Sequence, residues 1–187
     1  MDYQELLRRN RKKPLGTPDS FAPLNWGREE IKLILPHRDP FLLLDRLTGI
    51  DFEGESLSGL RVLSPEDPVF AGHFPGFPVY PGCLEVEMIG QLGLCLSYFL
   101  DRRTTAPPLT AVALRVRATR ILGASYVEPV LPGSKTILLA KKLDHDEYFA
   151  SVIGQVIVNN AVACVAISEV CFLESGPAYA GPRKDQP

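Results

Sequence analysis

Apolar residues recur at helical spacing over a long stretch in the middle of the chain. Leu84, Met88, Leu92 and Cys95 mark one face of this stretch, and apolar residues also fill much of the opposite face through Leu100. A helix that is apolar on nearly all sides is surrounded by the rest of its domain. The pattern therefore predicts a long, buried central helix around which the domain is built.

The segments on either side of this helix favour strands. Runs rich in β-branched and aromatic residues, bounded by turn residues, are typical of strands. We predict a short amphipathic helix at 27–35 and strands at 41–51, 57–63, 109–122, 135–143, 148–158 and 161–173. A helix, two strands, a central helix and a final antiparallel run indicate an α+β fold.

Two terminal segments differ in composition from the rest. Residues 1–25 hold five basic residues against three acids and several prolines, and the end of the chain is rich in Gly, Pro and charge. We predict a flexible extension over 1–25, one domain over 26–173 and a disordered tail over 174–187. The basic extension would attract an acidic partner, and the alternative is a solvated turn and linker.

Composition narrows the class of protein. A chain of 187 residues with 45% hydrophobic and 22% charged residues suits one soluble domain, and a net charge of -2 argues against a nucleic-acid partner. The four cysteines form no Cys-x-x-Cys pair and the three histidines lack ligand spacing, which predicts a reduced, cytoplasmic chain without a metal. The start lacks a signal-peptide pattern, and polar residues interrupt the central helix, so we expect no membrane span.

A loop stiffened by proline and glycine precedes the central helix and contains a histidine. Its sequence, GHFPGFPVYPG, disfavours regular structure and holds His73 at a fixed angle. The helix start adds free N–H groups at Gly82 and Cys83. A lone loop histidine is more often structural. Here a base, nearby acids and backbone donors together favour the removal of a proton next to a carbonyl.

Two carboxyl groups lie in the first turns of the central helix. Glu87 precedes Gln91 by four residues, so both project from one face, where a polar pair needs a partner or a purpose. Glu85 projects elsewhere, and we interpret it as an ordinary surface acid. Acids near a helix start are also stabilised without any catalytic role, and this alternative stays open for both.

Three motifs, in this order, resemble the 3-hydroxyacyl acyl-carrier-protein dehydratases of the FabZ and FabA type. They are ILPHRDPFLLLDR at 34–46, GHFPG at 72–76 and PVYPGCLEVE at 78–87. The resemblance runs, with gaps, from about Trp26 to Leu173. It implies a hot-dog fold, in which a curved antiparallel sheet wraps a long central helix, and a dimer with its active sites at the interface.

The resemblance also implies roles for individual residues. The catalytic pair is His73 from one subunit and Glu87 from the other. The thioester carbonyl is bound at the helix start by Gly82 and Cys83, and Gln91 matches a supporting polar residue one turn beyond the acid.

The substrate tunnel and the branch of the family are read from other positions. We expect the tunnel to involve Phe74, Phe77 and Tyr80. Glutamate at position 87 resembles the FabZ type, which dehydrates only, whereas the FabA type has aspartate there and also isomerises the double bond. The cysteine at position 83 resembles the FabA branch. We give the glutamate at position 87 more weight than the cysteine at position 83, which favours the FabZ type.

The implied function is dehydration of a 3-hydroxyacyl thioester on acyl carrier protein to the trans-2-enoyl thioester, in fatty-acid or polyketide-type biosynthesis. The substrate arrives on phosphopantetheine, and no metal or cofactor is expected. The implied partners are the carrier protein and further copies of the chain, as a homodimer or a trimer of dimers. Two alternatives stay open: a non-catalytic acyl-carrier-binding subunit of a heteromeric assembly, and a hot-dog thioesterase or enoyl hydratase. The 121–134 segment departs from the family pattern and supports the first alternative.

Overall fold

The architecture is that of a computed structural model, which describes residues 2–17, 20–112, 115–146 and 148–173. The predicted tail at 174–187 lies outside these residues. In chain order the elements are α1 (Tyr3–Asn10), β1 (Ala22–Gly27), α2 (Arg28–Ile34), β2 (Arg46–Asp51), β3 (Ser56–Val62), α3 (Val69–Gly72), α4 (Gly82–Arg102), β4 (Val116–Tyr126), β5 (Lys135–His145), β6 (Phe149–Val158) and β7 (Ala161–Phe172).

One antiparallel sheet and one long helix dominate the fold. Within the described residues, seven strands pair in the order β1-β2-β3-β5-β6-β7-β4. Helix α4 packs across β5, β6, β7 and β3. The arrangement confirms the predicted α+β hot-dog fold, with a sheet wrapped around a central helix.

Close packing between α4 and the sheet explains why the helix is apolar on most sides. A Cβ atom at Gly154 of β6 would lie 2.4 Å from Ile89 Cγ2 and 2.7 Å from the Leu139 carbonyl oxygen, so only glycine fits. By length and hydropathy α4 passes the test for a membrane span, but 67% of its apolar window is buried inside the domain. That burial is typical of a core helix.

The opposite face of the sheet is also covered. Leu7 of α1 is 3% exposed and packs in a second apolar cluster with residues of β5, β6 and β7. The buried side chain of Gln155 accepts from Leu15 N and donates to the Lys13 carbonyl, both at 2.8 Å. We expected a flexible extension over 1–25. Its described residues instead fold onto the sheet, and β1 begins at Ala22.

Two predicted strands differ from the observed ones. Strand β4 begins at Val116 rather than at 109 and extends to Tyr126 rather than to 122, and residues 41–45 lie outside any strand. We expected a strand over 41–51, but β2 begins only at Arg46. The apolar run of Leu42, Leu43 and Leu44 is buried against the core without forming a strand. The Leu43 N–H donates to the side chain of Gln91 in α4 rather than to a neighbouring strand. A short buried apolar run does not distinguish these two cases.

Candidate active site

The loop before α4 holds His73 by backbone and side-chain contacts. The His73 N–H donates to the Val69 carbonyl at 3.1 Å, and the Val79 N–H donates to the His73 carbonyl at 2.9 Å. The imidazole Nδ1 lies 2.9 Å from the Val79 carbonyl oxygen. Because a carbonyl only accepts, the neutral ring carries its proton on Nδ1 and has its lone pair on Nε2. The half-buried imidazole is therefore oriented to act as a base through Nε2.

The three aromatic residues predicted for the tunnel separate into two places. Phe74 stacks on His73 with 4.0 Å between ring centroids, but it is 53% exposed, and Phe77 is 68% exposed. Tyr80 is 3% exposed, contacts Phe70 and lines the cavity beside His73. Burial raises the pKa of Tyr80 to about 12, so its hydroxyl stays protonated. The structure brings Tyr80 to the site and leaves the two phenylalanines on the surface.

A cavity of about 430 Å³ joins the His73 loop to the start of α4. Its lining comprises His73, Val79, Tyr80, Pro81, Gly82, Cys83, Glu85, Tyr126, Val127, Glu128 and Pro129. A Cβ atom at Gly82 would lie 2.5 Å from the Tyr126 ring, so this helix start needs glycine. The first N–H groups of a helix have no intrahelical acceptor and lie at its positive end. The predicted pair Gly82 and Cys83 thus lines the same cavity as His73.

Glu85 also lines this cavity, which corrects our interpretation of it as a surface acid. The residue is 3% exposed, and its buried Oε2 has no hydrogen-bond partner among the described residues. Burial raises the pKa of Glu85 to about 8. The sequence pattern missed this placement, because it located only the acid that has a polar neighbour one turn further along.

Glu87 lies in a hydrogen-bonded network with Gln91, as the spacing predicted. Gln91 is 1% exposed and donates through Nε2 to Glu87 Oε1 and to the Phe41 carbonyl, both at 2.9 Å. Its Oε1 accepts from the Leu43 N–H at 2.9 Å. Gln91 therefore ties the Glu87 carboxylate to the segment between α2 and β2.

His37 is a second group beside Glu87, and the sequence pattern did not identify it. We interpreted it as part of a turn, but its Nε2 lies 3.5 Å from Glu87 Oε1. Burial lowers the pKa of His37, while Glu87 raises it and Arg38 lowers it further. The buried Nδ1 has no hydrogen-bond partner within the described part of the chain. A histidine two residues beyond the end of a predicted helix carries no periodic signal that would place it here.

Within one chain, His73 and Glu87 do not line the same cavity. His73 lies with Glu85 and the helix start, whereas Glu87 lies with Gln91 and His37. Among the described residues, no group of three or more His, Cys, Asp or Glu side chains could hold a metal ion.

Comparisons with known proteins identify the family of the chain. A family model, described as the FabA-like domain, matches residues 35–167. The chain belongs to the FabA-like family. Within it, the chain is 37% identical over 151 residues to the 3-hydroxyacyl-(acyl-carrier-protein) dehydratase FabZ of Actinobacillus succinogenes, which covers 80% of this chain and 95% of the relative. It is 36% identical over 139 residues to FabZ of Proteus mirabilis, which covers 74% of this chain and 87% of the relative.

A solved structure supports the fold alone. The dehydratase heterocomplex ApeI:P of Xenorhabdus doucetiae superposes with a TM-score of 0.54 at 18% identity and covers 78% of this chain and 91% of that chain. The resemblance to FabZ-type and FabA-type proteins is thereby confirmed at the level of family and fold.

Proposed function

We propose that the protein dehydrates a 3-hydroxyacyl thioester on acyl carrier protein to the trans-2-enoyl thioester. The observation that carries the proposal is the orientation of His73: its Nδ1–H is held by the Val79 carbonyl, and its ring shares a cavity with the N-terminus of α4. FabZ relatives that align over most of the chain have the same activity in their names.

The first step is proton removal from C2. The thioester carbonyl accepts a hydrogen bond from the Gly82 N–H, and the positive end of α4 stabilises the negative charge that develops on its oxygen. Nε2 of His73 takes the C2 proton, and the electron pair of that C–H bond moves toward the thioester carbonyl. The same electron pair forms the C2–C3 double bond when the C3–O bond breaks in the second step. The carbonyl is itself the electron sink, so the step needs no metal or redox cofactor.

The second step is loss of the 3-hydroxyl as water. The C3–O bond breaks and the leaving oxygen takes a proton from an acid, for which we propose Glu87 of the partner subunit. Glu87 delivers this proton directly, or it orients His73, which returns the proton taken from C2. Either route leaves the enoyl thioester and one water. The His73 route returns the protein to its starting protonation state, whereas the direct route leaves a proton on His73 and none on Glu87, so a proton exchange between these groups or with solvent must follow before the next turnover.

A homodimer is part of this proposal because one chain does not place His73 and Glu87 in one cavity. Strand β4 lies at the end of the sheet order, and no strand among the described residues pairs with its outer edge. Ile121 and Tyr126 on that strand are 66% and 57% exposed. Exposed apolar side chains on an unpaired edge suit pairing with a second copy. Such dimers, alone or three together, would build each site from two chains.

We also propose the acyl carrier protein as the partner and the cytoplasm as the location. Arg8 and Arg11 of the N-terminal segment are exposed and line a surface hollow together with Ser125 of β4. Ser125 is followed directly by Tyr126, which lines the His73 cavity from the other side of the strand. Asp2 and Glu5 also line this hollow, and Glu5 pairs with Arg8, so the excess positive charge of the segment comes from the exposed Arg9, Arg11, Lys12 and Lys13. A basic segment near the site suits an acidic carrier.

The test is direct. The purified protein is incubated with 3-hydroxyacyl carrier proteins of short and medium chain length, and loss of water is followed by mass spectrometry. We expect turnover that His73→Ala lowers by about 10² to 10⁴-fold. His145→Ala is the matched control, because His145 is exposed at the end of β5. No water loss from any chain length would instead support a non-catalytic acyl-carrier-binding subunit.

A further inference from the structure

Glu85 is a buried acid for which the proposed dehydration has no role. It is 3% exposed, it lines the His73 cavity, and its Oε2 has no hydrogen-bond partner among the described residues. Buried polar atoms in folded proteins nearly always have a partner, and one without a partner lowers stability. The carboxyl group belongs to a residue of the cavity lining, but Oε2 itself is enclosed, so it gains a partner from a ligand when the carboxyl group turns toward the cavity.

The surroundings of Glu85 determine whether its carboxyl group is protonated when a ligand binds. The titratable groups that interact with it or share its cavity are Tyr80, Cys83, Tyr126, Glu128, Cys164 and His73. The pKa of Glu85 is raised to about 8 by burial, with no cation among the causes to oppose the shift. Near neutral pH the side chain is therefore a carboxylic acid with an O–H donor.

We propose that Glu85 is a specificity-determining residue, which donates a hydrogen bond to an oxygen in the acyl chain and so selects oxygen-containing 3-hydroxyacyl thioesters over plain alkyl ones. This inference rests on the proposed dehydration. A plain alkyl chain would leave the carboxyl unpaired, whereas an ether, keto or hydroxyl oxygen would pair with it. Sites with buried polar groups discriminate strongly against ligands that lack the matching atom.

The position along α4 favours the acyl chain over the reacting carbons. Gly82, which we propose for the thioester carbonyl, is the first residue of α4, and Glu85 lies about 4.5 Å further along the helix axis. Glu87, on a different face, is already proposed for the leaving hydroxyl. With the acyl chain running along α4 from the carbonyl at Gly82, which is the binding mode that we propose, Glu85 faces a part of the substrate a few bonds beyond the carbonyl.

A matched pair of substrates tests the inference. The 3-hydroxyheptanoyl and 3-hydroxy-5-methoxypentanoyl carrier proteins differ by one methylene replaced with an ether oxygen, which can only accept. We expect wild type to favour the ether substrate in kcat/KM by about tenfold or more, and Glu85→Gln to keep this preference through its amide N–H. Glu85→Leu should lose or invert it. Glu53→Leu, at an exposed acid in the β2–β3 turn, is the matched control and should behave as wild type.

Two further measurements separate the inference from the proposed function. Equilibrium binding of heptanoyl and 5-methoxypentanoyl carrier proteins, which cannot be dehydrated, should show the same preference in wild type and its loss in Glu85→Leu. In wild type, the preference should fall as pH rises through about 8, because a carboxylate has no O–H to donate. Equal preference in wild type and Glu85→Leu, in both turnover and binding, would overturn the inference even if both substrates are dehydrated. Absence of turnover with the binding preference intact would overturn the proposed function alone.

Discussion

Two glutamates on the same helix, two residues apart, lie in opposite environments. Glu87 is held by Gln91 and lies 3.5 Å from His37. Glu85 is almost fully buried and its Oε2 has no partner among the described residues. Residue type and distance from the helix start are therefore poor guides to the role of an acid. The face of the helix decides which groups surround it.

Helix geometry explains the difference. Two residues correspond to a little more than half a turn of a helix with 3.6 residues per turn. One face of α4 thus meets the His73 loop and the end of β4, and the other meets the segment between α2 and β2. The first face carries Glu85, whose Oε2 has no partner among the described residues. The second face carries Glu87, which is oriented by its hydrogen bond from Gln91.

The largest expected effect is a difference in kcat between variants of Glu87 and variants of Glu85. Glu87→Gln should lower kcat by about 10² to 10⁴-fold, because it removes an acid that acts on the leaving hydroxyl. Glu85→Gln should change kcat for a plain alkyl substrate by less than about tenfold, since a neutral amide replaces a neutral acid. Single-turnover mass spectrometry at pH 7 compares them. A larger loss in Glu85→Gln than in Glu87→Gln would reverse the assignment of the two acids.

The second effect is a difference in the pH dependence of stability. The pKa of Glu85 is raised from 4.5 to about 8, so between these values the folded state keeps a proton that the unfolded state has released. This contribution to stability is fully present below pH 4.5 and is lost as pH rises to about 8. Relative to Glu85→Gln, wild type should lose up to about 1.4 kcal/mol of unfolding free energy per pH unit in that window.

Urea denaturation at pH 5, 6, 7 and 8 measures this difference, and the other titrating groups largely cancel because both proteins contain them. Parallel stability curves for wild type and Glu85→Gln would contradict a neutral Glu85.

The third effect concerns the network on the Glu87 face. Gln91→Leu should lower the free energy of unfolding by about 1 to 3 kcal/mol, because it leaves the Leu43 N–H and the Phe41 carbonyl without their partner. It should also lower kcat, since the Glu87 carboxylate loses its orientation. Thermal unfolding and turnover of the same sample measure both. Unchanged kcat in a destabilised variant would limit Gln91 to a structural role.

The smallest expected effect is at His37. His37→Gln keeps an N–H donor that can face Glu87 but removes the imidazole, so kcat should fall by about two- to tenfold. His145→Gln is the matched control at an exposed histidine and should leave kcat unchanged. A loss in His37→Gln as large as that in His73→Ala would assign His37 to the chemistry itself.

Much of the fold could be predicted from the sequence because its main elements have strong periodic signals. The central helix was expected to follow Pro81 and extend through Leu100, and α4 spans Gly82–Arg102. The last three strands also lie within a few residues of their predicted bounds. Asn159 and Asn160, which mark the β6–β7 turn, have the positive φ angles that such two-residue turns require.

The parts that the sequence did not predict depend on tertiary contacts. Helix α1 is short and highly charged, so its packing through Leu7 onto the outer sheet face gives no clear local signal. The burial of Glu85 also has no local signal, because it depends on which elements pack against that face of α4. The contact of His37 with Glu87 has none either, because these residues are distant in sequence. The grouping of His73 with the helix start was predictable because those residues are neighbours in the chain.

The most direct test of a site shared between two subunits is complementation between two inactive variants. His73→Ala and Glu87→Gln chains are coexpressed with different tags, and the mixed dimers are isolated and assayed for water loss. In a two-fold dimer, each mixed pair has one site with both residues intact and one with neither, so the isolated mixed dimers should have about half of the wild-type activity. Activity no higher than that of the separate variants would contradict a site built from His73 of one subunit and Glu87 of the partner subunit.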